Sequence, residues 1–219
     1  MRKEPDRQEA TKRSRKWVTE TMGTTVAPWK QLLFSAIEAN SHLNHSSYVQ
    51  LATIGFNGRP SNRTVVFRGF EENSDRIKIN TDMRSRKIEE LKHCPFSEMC
   101  WYFSDTWEQF RINGRIEVID ASNPDQTKLQ QREKAWFANS LRSRLMYICP
   151  TPGSPYSSEQ SNQEVKLDPS SGPVPAYCLL LLEPDKVDYL NLKSNQRLLF
   201  SSMVSGTGEK CWTSEKVNP

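Results

Sequence analysis

The chain has 219 residues, enough for one large domain with a true core, and its formal net charge of +4 spreads 30 basic among 26 acidic side chains. So mild and mixed a balance excludes a nucleic-acid arm, whose cations would cluster. A mean hydropathy of -0.72, with no apolar run longer than the strand-length stretch 177–182, excludes a membrane-spanning helix.

Cys94, Cys100, Cys149, Cys178 and Cys211 are odd in number and contain no C-x-x-C pair, so neither a disulfide framework nor a zinc site is expected. Cys100 and Cys178 fall in apolar runs and are expected to be buried thiols. That reads as a reducing compartment, the cytoplasm, with a plastid as the alternative.

Residues 1–25 are polar, charged and Thr-rich, without a hydrophobic period, and are expected to form a flexible extension. Glu4, Asp6, Glu9 and Glu20 make it a poor transit peptide, and no secretory signal is visible. Residues 26–219 are expected to form a single domain. Pro28 opens an amphipathic helix over 29–39, with Leu32, Leu33, Ala36 and Ile37 on one face. A strand over 48–54 runs into Asn57-Gly58, a hairpin signal, and returns over 62–68. Residues 76–79 alternate as a strand, and after a turn Ser85 is placed to cap a short helix that carries Ile88 and Leu91 and ends before Pro95. Strands follow over 98–103 and 108–119, the second with a bulge or bend at Asn113-Gly114. A polar helix over 124–145 carries Trp136, Phe137 and Leu141. Residues 150–175, rich in Ser, Pro, Gln and Gly, read as a long flexible loop. Strands over 177–182, 187–192 and 197–203 close the chain, with 212–217 as a possible edge.

Eight or nine short strands in meander spacing with three helices make a mainly β fold with flanking helices. The sheet is largely antiparallel, and barrel closure is the simplest way to remove its edges. Trp101, Tyr102, Phe103 and Trp107 are expected at the surface, more aromatic area than one subunit readily covers, so a homodimer is expected.

The turn before the short helix carries the strongest chemical signal. Arg86 and Lys87 follow the cap directly, where the helix dipole disfavours cations unless an anion such as phosphate sits between them. A solvated basic turn is the alternative.

Three pieces, Arg63-Thr64-Val65-Val66-Phe67-Arg68, Asn80-Thr81 through Ser85-Arg86-Lys87, and Gln109 opening its strand, together resemble the flavin site of the pyridoxamine 5'-phosphate oxidase-like flavoproteins, split β-barrels that bind FMN at a homodimer interface. The resemblance spans about residues 45–120. It implies that Arg63, Arg86 and Lys87, with Ser85, hold the FMN phosphate and that the Thr64, Val65 and Val66 backbone runs along the flavin ring. Asn80 and Thr81 stand where the family has Tyr-Thr, and Gln109 contacts the ring, typically from the other subunit. The substrate side would use Arg68, Trp136, Arg142 (or Arg144) and Arg197, with a small-molecule phosphate ester and oxygen as reactants. Leu199 and Ser201 replace a family His and Arg. Trp136 reads equally as a core aromatic, and solvated strand ends are the lesser alternative for Arg63 and Arg68. An odd spacing also points those two arginines to opposite faces. The function implied is an oxidase forming pyridoxal 5'-phosphate. The alternatives are a split-barrel FMN oxidoreductase acting on another small molecule and a non-catalytic flavin-binding protein. Neither a nucleic acid nor a membrane is expected as a partner.

Overall fold

The structure, a computed structural model, describes residues 27–156, 166–204, 206 and 210–219. The extension expected over 1–25 lies outside these. The first helix, α1 (Pro28–Ala39), starts on a proline, whose missing N–H costs nothing there, and buries Trp29, Leu33 and Ala36. Then come β1 (Tyr48–Ile54), β2 (Pro60–Phe70), β3 (Ile77–Asp82), α2 (Arg86–His93), β4 (Phe96–Phe103) and β5 (Glu108–Ile119). They are followed by α3 (Gln126–Phe137), α4 (Leu141–Leu145), β6 (Tyr177–Asn191), β7 (Gln196–Val204) and β8 (Lys210–Val217).

The strands are ordered β3-β2-β1-β4-β5-β6-β7-β8, all antiparallel, and β3 also pairs with β6. That second pairing closes six strands into a barrel and leaves β7–β8 as a hairpin beyond it. Strand alternation fills the interior: Leu51, Ile77, Ile79, Met99, Trp101, Phe103 and Phe110 are all essentially inaccessible. Burying each such side chain contributes about 1.5–3 kcal/mol. The hairpin is fastened by Trp212, whose ring meets Trp29 edge-on at 5.7 Å and whose Nε1 donates to Asp75 Oδ2 at 3.1 Å.

Several expectations need correction. Trp101 and Phe103 are 1% exposed and stack in the core 5.1 Å apart, so of the four aromatics proposed for the surface only Tyr102 and Trp107 are there. Cys178 is buried as expected, but Cys100 is half-buried on the outer wall; all five cysteines are free thiols. The expected helix over 124–145 is two helices, broken at Asn139 and Ser140. The two strands expected over 177–192 are one. Part of the loop expected to be flexible is pinned: Arg132 donates to the Tyr177 and Val174 carbonyls, Trp136 Nε1 to Ser171 O and Arg144 Nη1 to Pro169 O. No helix among the described residues is long and apolar enough to cross a membrane.

Candidate cofactor site

Thr81 sits on the buried face near the end of β3, and a tight turn carries the chain to Ser85 at the N-cap position of α2. The Ser85 hydroxyl does not cap the helix; it donates to the Asp82 carbonyl at 2.6 Å. The cap position was legible, but its side chain leaves the amide end of α2 open for another acceptor. Lys87 reaches back from the first turn, its Nζ donating to Thr81 Oγ1 and Ser85 Oγ, both at 2.9 Å. Burial lowers the Lys87 pKa and the positive charge of Arg63 lowers it further, with Asp82 and Glu90 opposing. Two neighbouring cations so placed favour an anion between them. Arg86 is exposed and makes no ion pair among the described residues.

Arg63 points inward with Val65 and Phe67. Its Nη1 donates to Leu51 O, Ser61 O and Thr53 Oγ1, and its Nη2 to Glu90 Oε2 at 2.6 Å. Sequence reasoning missed Glu90 and Thr53, because an acid in mid-helix normally faces water. The signal was its place between Ile88 and Leu91, within the buried stripe.

β3 joins β2 only at Phe67↔Ile79 and Phe70↔Ile77, whereas β1 pairs with β2 from Pro60 to Val66. The edge of Thr64, Val65 and Val66 away from β1 is therefore unpaired by β3, leaving backbone donors and acceptors for a ligand. Arg68 lies on the opposite face from Arg63, as the spacing requires, and its buried Nε has no hydrogen-bond partner. Near it is Tyr147, whose phenol burial pushes up to about 12 while the charge of Arg68 pulls it down. Tyr147 lines a cavity of about 600 Å³ with Met83, Arg84, Ile148, Val174 and Ala176. Sequence reasoning also missed Tyr147.

The remaining residues are not gathered there by one chain. Asn80 faces away from Thr81; its amide donates to Asn139 Oδ1 and accepts from Tyr177 Oη. Gln109 lies on the outer wall of β5, in a cross-strand row with Tyr102, Leu190 and Arg197. Three strand steps separate β5 from β2 in either direction around the barrel, so the two outer faces look opposite ways. Arg197 is bound through Nε and Nη2 to Asp188, at 3.0 and 2.8 Å. Arg142 is exposed on α4, whereas Arg144 is buried and structural. Trp136 is wholly buried with its N–H committed, so the core-aromatic reading is the one its geometry carries.

A closed antiparallel barrel with an open strand edge beside a basic helix end defines an FMN-binding split-barrel protein. Residues 26–120 match the family described as pyridoxamine 5'-phosphate oxidase, FMN-binding domain. The chain is 91% identical over 198 residues, 90% of its length and 100% of the relative's, to pyridoxine/pyridoxamine 5'-phosphate oxidase 2 of Arabidopsis thaliana. It is 38% identical to a crystal structure of a pyridoxamine 5'-phosphate oxidase-related, FMN-binding protein from Nostoc punctiforme, covering 90% of this chain and 100% of that one with a TM-score of 0.82. PhzG from Burkholderia lata, in complex with tetrahydrophenazine-1-carboxylic acid, shares the fold at 19% identity and a TM-score of 0.67, covering 92% and 96%. The chain belongs to the pyridoxine/pyridoxamine 5'-phosphate oxidase family, and its cofactor is FMN.

Proposed function

We propose that this chain oxidises pyridoxamine and pyridoxine 5'-phosphate to pyridoxal 5'-phosphate, with Lys87, Arg86 and Arg63 holding the FMN phosphate. The observation that carries the cofactor half is Lys87 at the open end of α2, folded back onto Thr81 and Ser85 and within the field of Arg63. The first-turn amides and the hydroxyl of Thr81 complete the phosphate's surroundings, and Ser85, its own proton given to the Asp82 carbonyl, orients Lys87. The free edge of Thr64, Val65 and Val66 offers hydrogen bonds to the ring heteroatoms. Bound FMN supplies the redox chemistry: a hydride leaves the substrate's C4' carbon, and oxygen takes the electron pair as hydrogen peroxide. The alcohol becomes the aldehyde directly; the amine becomes an imine, which water hydrolyses to aldehyde and ammonia.

On the substrate side, Arg68 is the cation of this reading, since its buried Nε has no protein partner and a phosphate ester would supply one. Arg142 is a helper from α4, and Trp136 acts only by supporting Tyr147, which it meets at 5.9 Å. Gln109 and Arg197 serve a neighbouring copy, because their wall faces away from β2. The working unit is therefore a homodimer, and exposed Tyr48, Tyr102 and Trp107 fit a covered surface. Sedimentation at micromolar concentration should give a flavin-loaded dimer; a flavin-loaded monomer would refute this. The cytoplasmic placement stays part of the reading, supported by five free thiols.

The deciding experiment is an absorbance spectrum of the purified protein, then peroxide and aldehyde assays with both phosphate esters. Both products are expected from the esters and neither from the unphosphorylated vitamers. One observation favours the second reading, an FMN oxidoreductase acting on another small molecule: Asp188 already occupies two donors of Arg197. A fully loaded protein that gives no product from either ester would overturn the oxidase reading and put this one in its place.

A further inference from the structure

We propose that Glu90 is a built-in stand-in for the cofactor's phosphate: in the empty site it supplies Arg63 with the negative charge that the phosphate supplies when FMN is bound. The inference rests on the reading of Arg63, Arg86 and Lys87 as the phosphate clamp. Glu90 Oε2 accepts from Arg63 Nη2 at 2.6 Å and from Thr53 Oγ1 at 2.5 Å, and Thr53 Oγ1 accepts in turn from Arg63 Nη1 at 2.5 Å. The Glu90 side chain is 3% exposed and that of Arg63 23%, so this is a pair largely out of water rather than a surface contact. Burial would raise the Glu90 pKa, but hydrogen bonds from Thr53 and Arg63 and the charge of Arg63 bring it below its ordinary value, so the group is a carboxylate at neutral pH.

Without that carboxylate, Arg63 and Lys87 would be two half-buried cations with no buried counter-ion on Arg63, a costly arrangement. The phosphate relieves the same problem from the other side. Both anions draw on one guanidinium, so the carboxylate stabilises the empty site and competes with the filled one. Removing its charge raises the free energy of the empty state more than that of the phosphate-bound state, which linkage converts into tighter phosphate binding. Riboflavin has no phosphate and does not sense the exchange. A purely structural Glu90 would change stability but not the ratio of FMN to riboflavin affinity.

The test measures FMN and riboflavin affinity by fluorescence quenching, and melting of the flavin-free protein with and without inorganic phosphate. Glu90→Gln keeps the shape and an acceptor and loses the charge. It should raise the FMN-to-riboflavin ratio about tenfold, lower the melting temperature of the empty protein, and enlarge the stabilisation by phosphate. Glu90→Asp withdraws the charge by one methylene and should raise the ratio about threefold. A ratio unchanged or lowered in whichever variant folds overturns the proposal. So does failure of both variants to fold in saturating FMN, because phosphate would then be no substitute for the carboxylate. The parent protein separates the two readings. Equal affinity for FMN and riboflavin in the parent removes the clamp itself, whereas a parent that prefers FMN, with variants of unaltered ratio, removes only the role of Glu90.

Discussion

Lys87→Met should weaken FMN binding roughly 10- to 100-fold while leaving riboflavin affinity unchanged, the scale of one lost hydrogen bond to a charged group, about 1.5–3 kcal/mol. Lys87 is the clamp member least replaceable by solvent, being half-buried and already fixed by Thr81 and Ser85. Methionine keeps most of the stem's volume, so the effect reports the charge. The parent should also show a pH dependence that the variant lacks. Burial and Arg63 hold the Lys87 pKa below 10.5 in the empty protein, and a bound phosphate dianion raises it. Binding therefore takes up a proton between the lowered empty-state pKa and the higher bound-state one. FMN affinity is greatest below that window and falls as pH rises through it. Titration by fluorescence quenching at stepped pH checks both points. A variant that still prefers FMN to riboflavin by the parent's margin would show that the phosphate lies elsewhere.

Gly114→Ala should be among the most damaging single changes in the chain, costing about 3 kcal/mol or more and lowering the melting temperature by roughly 10 °C. A Cβ at this position would lie 2.1 Å from the Glu183 carbonyl oxygen, 2.8 Å from its carbon and 3.0 Å from Pro184 Cα. All three are backbone atoms, so no side chain can swing aside. The clash falls where the β5–β6 register shifts, between Asn113 and Gly114, and relieving it means parting the two most extensively paired strands of the barrel. Thermal unfolding followed by circular dichroism tests this; a melting temperature within about 2 °C of the parent's would refute it.

The same bulge shows what sequence does and does not disclose. Asn113-Gly114 inside an alternating run announced an irregularity, and one is there. Its partner was misread: Glu183-Pro184-Asp185 looks like a turn, which split β6 in two. In the fold Pro184 stands opposite Gly114 at the register shift, where the absent Cβ leaves room for the Glu183 carbonyl and Pro184 Cα and a missing N–H is tolerated. Only the neighbouring strand explains the proline, and a single sequence does not say which strands are neighbours. Trp101 and Phe103 failed for a different reason. The run Met99-Cys100-Trp101-Tyr102-Phe103 is apolar on both faces, and only Glu98 marks the outward parity that puts Trp101 and Phe103 inside. The basic turn was legible because cations at a helix start contradict the dipole and so demand an explanation. Glu90 was not, because its reason, Arg63, lies 27 positions away on another strand.

Barrel closure through β3 and β6 has a consequence for how the chain is made. Ile77 pairs with Leu182 and Asp82 with Tyr177, so the seam joins segments whose nearest residues are 177 - 82 = 95 positions apart. At a synthesis rate of about 5–20 residues per second, β3 has left the ribosome for roughly 5–20 s before its second neighbour exists. During that interval the edge of Ile77 and Ile79 that β6 will occupy is an unsatisfied template for any passing strand. High contact order of this kind also slows folding after release. The strand that leads into the basic turn is thus the one longest exposed to wrong pairing during synthesis, and added chaperone in a heterologous host should raise the yield of folded protein.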